Sequence, residues 1–273
     1  MTIARPPATT PSALSLYEQL RTSLAAKVPV AVATIVKGEP LGGKLLVLPD
    51  ESVGTLGDAT LDAQAAVDAR ELLVEERSET RTYAVGSTAA TVEIFLETFP
   101  SPPTLLIFGA VHVAQPLTRF AKALGFDVIV TDARATLATA DRFPDADRIV
   151  VAWPDEALAQ IHVRSNTYVA ILTHDPKFDE PALLGVLGTA APYVGAVGSR
   201  KTNEDRRQRL LDAGLEADQL ARVRGPIGLD IGADTPEEMA IAILAEIVAQ
   251  RHGRTGGPLT EASGRIRGPR EAS

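Results

Sequence analysis

Four short polar clusters hold most of the residues in this chain that could do chemistry, and each stands directly behind an apolar run. They are Gly109 with His112, Asp132 with Arg134, Thr173-His174-Asp175, and Gly198-Ser199-Arg200-Lys201. A fifth segment, Gly225 to Gly232, adds Gly228 and Asp230 and is too rich in glycine to be regular. Gly198–Lys201 precedes a helical pattern over 203–213. Free N–H groups at a helix start, with two cations and a hydroxyl beside them, suit a phosphate or another oxyanion. The alternative is a solvated turn with incidental basic residues.

The other clusters each carry two readings. Asp132 and Arg134 could hold a ribose hydroxyl or a charged ligand edge, or pair with each other at the surface. His174 could serve as ligand donor, metal ligand or proton carrier, or sit as a loop histidine bonded to Asp175. His112 lies inside the turn that would cradle a phosphate, or packs as a helix N-terminal histidine. His162 and His252 are assigned to surface or structural roles. No His-x-x-His or Glu-x-x-His pair occurs, which gives no support for a metal site. Neither a Gly-x-Ser-x-Gly elbow nor a Walker A sequence is present.

These clusters need a common frame, and the pattern supplies one. Thr104–Phe108 is a buried run ending at Gly109, a helix-length segment follows, and Asp127–Thr131 ends at Asp132. Strand, glycine turn, helix, strand and acid form the layout of a dinucleotide-binding βαβ unit. The glycine fingerprint is incomplete, because Val111 and Ala114 occupy its second and third places. A side chain at the second place obstructs approach of the backbone to a pyrophosphate, so weak NAD binding is expected. Further apolar runs at 148–152, 167–172 and 193–197 alternate with helix-length segments. Such alternation predicts an α/β unit, a Rossmann-like parallel sheet with helices on both faces. In an open parallel sheet, ligands gather outside the carboxyl ends of the strands, where all five clusters would lie. A last helix starts at Thr235-Pro-Glu-Glu238, a capping box with proline at the first helical position.

Before residue 104 the pattern changes. A helix over 13–26, strand-like runs at 28–36, 44–48, 81–85 and 91–97, and a helix carrying Leu61, Ala65, Ala69 and Leu72 predict a smaller α+β domain over 13–98. Gly57, Asp58 and Thr60 read as the capped start of that helix, with a contact surface as the alternative. Residues 1–12 read as a flexible leader, 99–103 as a proline-rich linker, 104–252 as the second domain and 253–273 as a disordered tail.

Composition bounds the partners. A net charge of −8 without a basic stripe argues against nucleic acid. No apolar run approaches the roughly 20 residues of a membrane helix, and the N-terminus shows no apolar signal core, so a cytoplasmic location is expected. Zero cysteines exclude disulfides, a thiolate nucleophile and Cys-bound metal.

Leu106-Ile-Phe-Gly-Ala, Leu172-Thr-His-Asp-Pro-Lys-Phe-Asp179, Tyr193 to Arg200, Gly225 to Gly232 and Thr235-Pro-Glu-Glu238 together resemble the XdhC/CoxI family. In the first domain Val30–Val36, Gly43–Val47 and Val53–Gly57 are similar too. The resemblance implies a maturation factor for molybdenum hydroxylases such as xanthine or carbon monoxide dehydrogenase, without turnover of its own. It implies a protein that holds molybdenum cofactor (molybdopterin), supports its sulfuration and delivers it to the apo hydroxylase, with a cysteine desulfurase as a second partner. A homodimer stays open. Many members carry Gly-Gly-Cys where this chain has Gly57-Asp58-Ala59, so that thiol is missing. Two alternatives remain: an NAD(P)-dependent oxidoreductase with a degenerate glycine turn, and a noncatalytic recruitment protein.

Overall fold

A computed structural model describes residues 13–86, 90–263 and 266, and the chain divides into two compact units after Ser101. In the first unit, α1 (Ala13–Ala25) precedes three strands, β1 (Val30–Lys37), β2 (Lys44–Val47) and β3 (Ser52–Thr55). Helix α2 (Ala59–Val74) then leads to β4 (Glu79–Ala84) and β5 (Thr91–Phe99). The strands form one antiparallel sheet in the order β3-β2-β1-β5-β4. Alternation in β1 sorts its side chains: Ala31, Ala33 and Ile35 face α2, while Val30 and Val32 join Leu16 and Leu20 of α1. Asp58 caps α2 by accepting a hydrogen bond from the Leu61 N–H at 2.9 Å, as a capped helix start requires. Segment 52–57 supplies an edge strand as well as a turn. It bends at Gly54, whose φ of 101° and 2.5 Å virtual Cβ contact with the Lys44 carbonyl demand glycine.

The second unit alternates as the pattern predicts. It contains β6 (Thr104–Phe108), α3 (Ala114–Ala123), β7 (Asp127–Thr131), β8 (Arg148–Val150), α4 (Pro154–Gln160) and β9 (Thr167–Ile171). These are followed by α5 (Pro176–Leu187), β10 (Tyr193–Ala196), α6 (Arg200–Asp212), α7 (Ala217–Leu220), β11 (Val223–Arg224) and α8 (Pro236–Arg251). All six strands are parallel, in the order β11-β10-β9-β6-β7-β8. That is the doubly wound Rossmann order, with its direction reversing between β6 and β9. Leu105, Ile107, Val128, Val130 and Tyr168 pack with α3 and α8 on one face. Leu106, Phe108, Val169, Ile171 and Val194 pack with α4, α5 and α6 on the other. Strands covered on both faces must be apolar throughout, which is why they read as continuous runs.

Several boundaries shift. The linker expected over 99–103 begins inside β5, which continues through Phe99. Residues 253–263, part of the tail expected to be disordered, are described. Leu259–Glu261 forms a short 3-10 turn, and the virtual Cβ of Gly256 meets Leu229 at 2.7 Å. The leader over 1–12 and most residues beyond 263 lie outside the described residues. The sixth strand, β11, is only two residues long and leaves no periodicity to read. Helix α6 starts at Arg200 rather than near 203, which puts Arg200 and Lys201 in its first turn. Among the described residues, no helix is long and apolar enough to cross a membrane.

Helix α6 is tied down by a buried ion pair. Arg206 Nε and Nη2 donate to Asp179 Oδ2 of α5 at 2.9 and 2.6 Å, and Nη2 also reaches the Val197 carbonyl at 3.1 Å. Both side chains are almost fully buried. Asp179 Oδ1 has no hydrogen-bond partner among the described residues. Burial therefore outweighs the arginine and holds this carboxyl above the usual aspartate value. Removing one partner of such a pair strands the other, whereas removing both is often close to neutral. Arg206→Met should therefore destabilise the protein by about 3 kcal/mol or more. Adding Asp179→Leu should recover most of that loss, as urea unfolding of the single and double variants will measure.

Candidate functional site

The five polar clusters come to one rim. Each follows the carboxyl end of a strand: Gly109 and His112 after β6, Asp132 and Arg134 after β7, Thr173–Asp175 after β9, Gly198–Lys201 after β10, and Gly228 and Asp230 after β11. Because those strands are neighbours, the clusters form one arc along the sheet edge.

Asp132 organises the middle of that arc. Its side chain is buried, and it accepts four hydrogen bonds. Oδ2 takes the Ala110 N–H at 2.8 Å and Arg134 Nη2 at 2.7 Å. Oδ1 takes the Arg134 N–H at 2.9 Å and Arg134 Nε at 2.8 Å. Burial raises the cost of its charge, but the Arg134 and Ala110 donors outweigh it and hold the carboxyl below the usual aspartate value. Asp179 is also buried beside an arginine, but it has no backbone N–H donor to offset its burial and lies near Glu180, and its shift is in the other direction. Of the two readings for Asp132 and Arg134, mutual pairing is the one found, although the acid is buried rather than at the surface. A carboxylate offers about four acceptor positions, and all four are used within the protein.

The glycine turn is equally committed to the protein. Gly109 adopts φ 105°, and a Cβ there would lie 2.7 Å from Thr173 Cγ2. Only glycine lets the turn lean over the end of β9. The Gly109 N–H goes to the Thr131 carbonyl at 2.8 Å, and the Ala110 carbonyl accepts Arg142 Nη1 at 2.9 Å. Val111, expected to obstruct a pyrophosphate, is half-buried and packs against the core beside α3. The ribose-binding acid is thus lost to an internal pair, which is a different reason to doubt a dinucleotide. His112 is exposed on this turn rather than packed on the sheet.

His174 is also exposed, and Asp175 does not hold it. The Asp175 carboxylate instead caps α5, accepting the Lys177 N–H at 3.0 Å. At the next strand end Ser199 caps α6 through the Thr202 N–H at 3.1 Å, and its hydroxyl also meets Thr202 Oγ1 at 2.9 Å. The serine is therefore occupied. The N–H groups of Arg200 and Lys201 have no acceptor among the described residues, and both side chains are exposed. Gly198 reaches φ 123° here, and Asn203 Nδ2 holds the turn through the Gly198 and Ser199 carbonyls at 2.9 and 3.1 Å.

The segment 225–232 folds over the same edge. Its Ile227 N–H reaches the Ala196 carbonyl at the end of β10, and its Ile227 side chain fills the space above Gly195. Glu246 of α8 accepts both the Gly228 N–H at 2.8 Å and the Tyr193 hydroxyl at 2.6 Å. Burial, reinforced by that carboxylate, pushes the tyrosine far above its usual value. Asp230 is exposed.

Sequence reasoning missed part of the rim. Trp153 and Phe178 stack face to face, with ring centroids 4.6 Å apart and planes 7° from parallel, and Arg134 lies 5.6 Å from the Phe178 centroid. Phe178 also lines a narrow cleft with Gly109, Thr131, Asp132, Pro154 and Thr173, among others. Trp153 follows a β-strand only three residues long, and no motif marks it.

Comparison with known proteins bears on the family and the fold. The model of the XdhC Rossmann domain matches residues 105–247, and that of the XdhC and CoxI family matches residues 23–84. The uncharacterized protein YqeB of Escherichia coli is 27% identical over 86% of this chain and 46% of its own length. A probable subunit of xanthine dehydrogenase from Bacillus subtilis is 32% identical over 59% of this chain and 47% of its own. The molybdenum cofactor insertion chaperone PaoD of Escherichia coli is 28% identical over 54% of this chain and 40% of its own. The chain thus matches less than half the length of each of these relatives. A crystal structure of a xanthine dehydrogenase from Bacillus halodurans superposes with a TM-score of 0.50 at 23% identity, covering 90% of this chain and 98% of that one. That likeness concerns the fold.

The Asp132 geometry fixes an acid dependence. A carboxyl with a depressed folded value contributes stability above its unfolded value, about 3.9, and loses it as pH falls through the folded one. Asp132→Asn should cost about 1–3 kcal/mol at pH 7. Denaturant midpoints of variant and wild type should converge as the medium is acidified below about pH 4.

Proposed function

The chain belongs to the XdhC and CoxI family, and from that premise we propose that it is an accessory protein for a molybdenum hydroxylase of the xanthine or carbon monoxide dehydrogenase type. In this reading it binds molybdenum cofactor along the carboxyl edge of its parallel sheet, assists sulfuration and passes the cofactor to the apo hydroxylase. A cysteine desulfurase is the proposed sulfur source. The chain itself turns nothing over.

The supporting observation is the arc itself. The Arg200 and Lys201 N–H groups lie at the start of α6 with both side chains exposed, and such a helix terminus favours a phosphate. His174 and His112 are exposed farther along the edge, Arg134 beyond them, and Gly228 and Asp230 on the other flank. Molybdopterin carries a phosphate, extended in some forms by a nucleotide, so an anion-holding edge fits it. The chain has no cysteine, so no protein thiolate can ligate the metal. Purchase on the cofactor would therefore come through phosphate and pterin. Bound there, the cofactor keeps its molybdenum chemistry for the recipient enzyme.

The oxidoreductase reading is weaker for a stated reason. An NAD ribose needs an available acid after the second strand, and Asp132 already accepts four hydrogen bonds.

Protein purified from a molybdenum-replete host should carry molybdenum and release a fluorescent pterin on oxidation. Absence of both from freshly isolated protein would count against the reading. Replacing Arg200 and Lys201 with Ala should weaken cofactor or nucleotide binding by about 1–3 kcal/mol, with unchanged affinity in calorimetry removing this phosphate site. NAD, titrated in parallel, should bind weakly or not at all, and submicromolar affinity would revive the dehydrogenase reading.

A further inference from the structure

We infer that the side-chain amide of Asn203 transmits movement between two neighbouring loops of the carboxyl edge, turn 198–202 after β10 and segment 225–232 after β11. The inference takes its meaning from the reading of that edge as the ligand site, since a ligand seated against one loop would then be felt at the other. Its test uses no ligand, so that reading and the coupling stand or fall separately.

The amide is engaged at both ends. Asn203 Nδ2 donates to the Gly198 and Ser199 carbonyls at 2.9 and 3.1 Å, which ties it to the turn. Its Oδ1 accepts Arg206 Nη1 at 2.6 Å. The neighbours themselves decide which end is oxygen, because a guanidinium only donates and a carbonyl only accepts. Arg206 is fixed in turn, with Nε and Nη2 on Asp179 of α5 and Nη2 also on the Val197 carbonyl just past β10. The Asn203 oxygen therefore rests on a buried guanidinium held from two other elements.

Segment 225–232 leans on that same oxygen. A Cβ placed on Gly225 would lie 2.3 Å from Asn203 Oδ1 and 2.7 Å from its Cγ, closer than a side chain tolerates. Gly225 lies outside the left-handed region, so its missing side chain serves the close approach and not the backbone angle. Two residues on, the Ile227 N–H is bonded to the Ala196 carbonyl at 3.1 Å, which pins the segment to the end of β10 beside the contact. The turn is shaped as tightly. Gly198 has φ 123°, and a Cβ there would lie 3.0 Å from Thr202 Cγ2. A displacement of either loop is therefore pressed onto Asn203, through a contiguous chain of contacts.

The two contacts differ in kind, and the link can be cut at one end. The turn is held by the amide nitrogen through hydrogen bonds. The segment rests on the amide oxygen through shape. Asn203→Asp keeps an oxygen for Arg206 and for Gly225 but removes both donors to the turn. Gly225→Ala does the opposite: it leaves the chemistry of Asn203 intact and displaces the side chain by crowding.

Residue-resolved amide hydrogen exchange of the full chain reads the two loops separately. The reporters in the turn are the Thr202 and Asn203 N–H groups, both bonded to Ser199. Those in the segment are the Ile227, Gly228 and Leu229 N–H groups, bonded to Ala196, Glu246 and Ala242. Gly225→Ala should speed exchange at Thr202 and Asn203 roughly three- to tenfold, the loss of about one hydrogen bond, although it alters neither residue. Amides of β6 and β9 should keep their wild-type rates. In the Asn203→Asp background the same Gly225 change should no longer move the turn, because the link is already cut. Asn203→Ala serves as the uncoupled background if the aspartate variant does not fold. If Gly225→Ala itself does not fold, Asn203→Ala gives the reverse reading and should speed exchange at Ile227 and Gly228. Gly214→Ala is the control: φ is 93° there with open space around it, so it strains the chain without touching Asn203 and should move neither loop. Acceleration confined to the loop that carries the substitution would overturn the inference. Equal acceleration of the β6 and β9 amides would do so too, by making the effect one of global stability. An undiminished response of the turn to Gly225→Ala in the Asn203→Asp background would show that the movement does not pass through this amide.

Discussion

The buried carboxylate of Asp132 is the constraint around which the carboxyl edge of the second unit's sheet is arranged. A charge at that depth must be met by donors, and four are supplied by Ala110 and Arg134. Meeting it fixes the turn after β6, the chain after β7 and the direction of the Arg134 side chain together. Gly109 must then lean on Thr173, and Arg134 comes to lie over Phe178. The arrangement converts a residue type associated with ribose recognition into a structural tie. To one side of it lies the α6 start after β10, and to the other the stacked Trp153 and Phe178 rings.

The alternation of apolar runs after residue 104 made the parallel sheet legible, because strands covered on both faces leave no polar interruption to confuse the period. The rim positions followed from topology, since a residue behind such a run must emerge at a carboxyl end. The state of those residues was not legible. Whether Asp132 faces a ligand or Arg134 depends on a two-residue backbone hook that spacing cannot distinguish from an open turn. Val111 fell into the same gap, for a fingerprint position specifies sequence distance but not which way the side chain turns. Trp153 escaped because its strand is three residues long, and β11 because it is two.

Two arginine–aspartate pairs show how little residue identity decides alone. Asp132 and Asp179 are both buried and both bonded to arginine, yet their carboxyls shift in opposite directions. In Asp132 both oxygens are served, two of the donors being backbone N–H groups. In Asp179 both arginine contacts fall on one oxygen, leaving the other without a donor. The first pair keeps its carboxyl below the usual aspartate value at the carboxyl edge of the sheet. The second holds α6 against α5 while burial keeps its carboxyl above the usual aspartate value.

Glu246 has a consequence for anyone handling the end of this chain. A single carboxylate oxygen on the last long helix receives both the Tyr193 hydroxyl and the Gly228 N–H, and the Ala242 carbonyl of the same helix receives the Leu229 N–H. The final helix is therefore a handle for the rim segment and not a passive closing element. Fusions, tags or truncations near Arg251 therefore act on segment 225–232 through Ala242 and Glu246, two residues spaced about one helical turn apart.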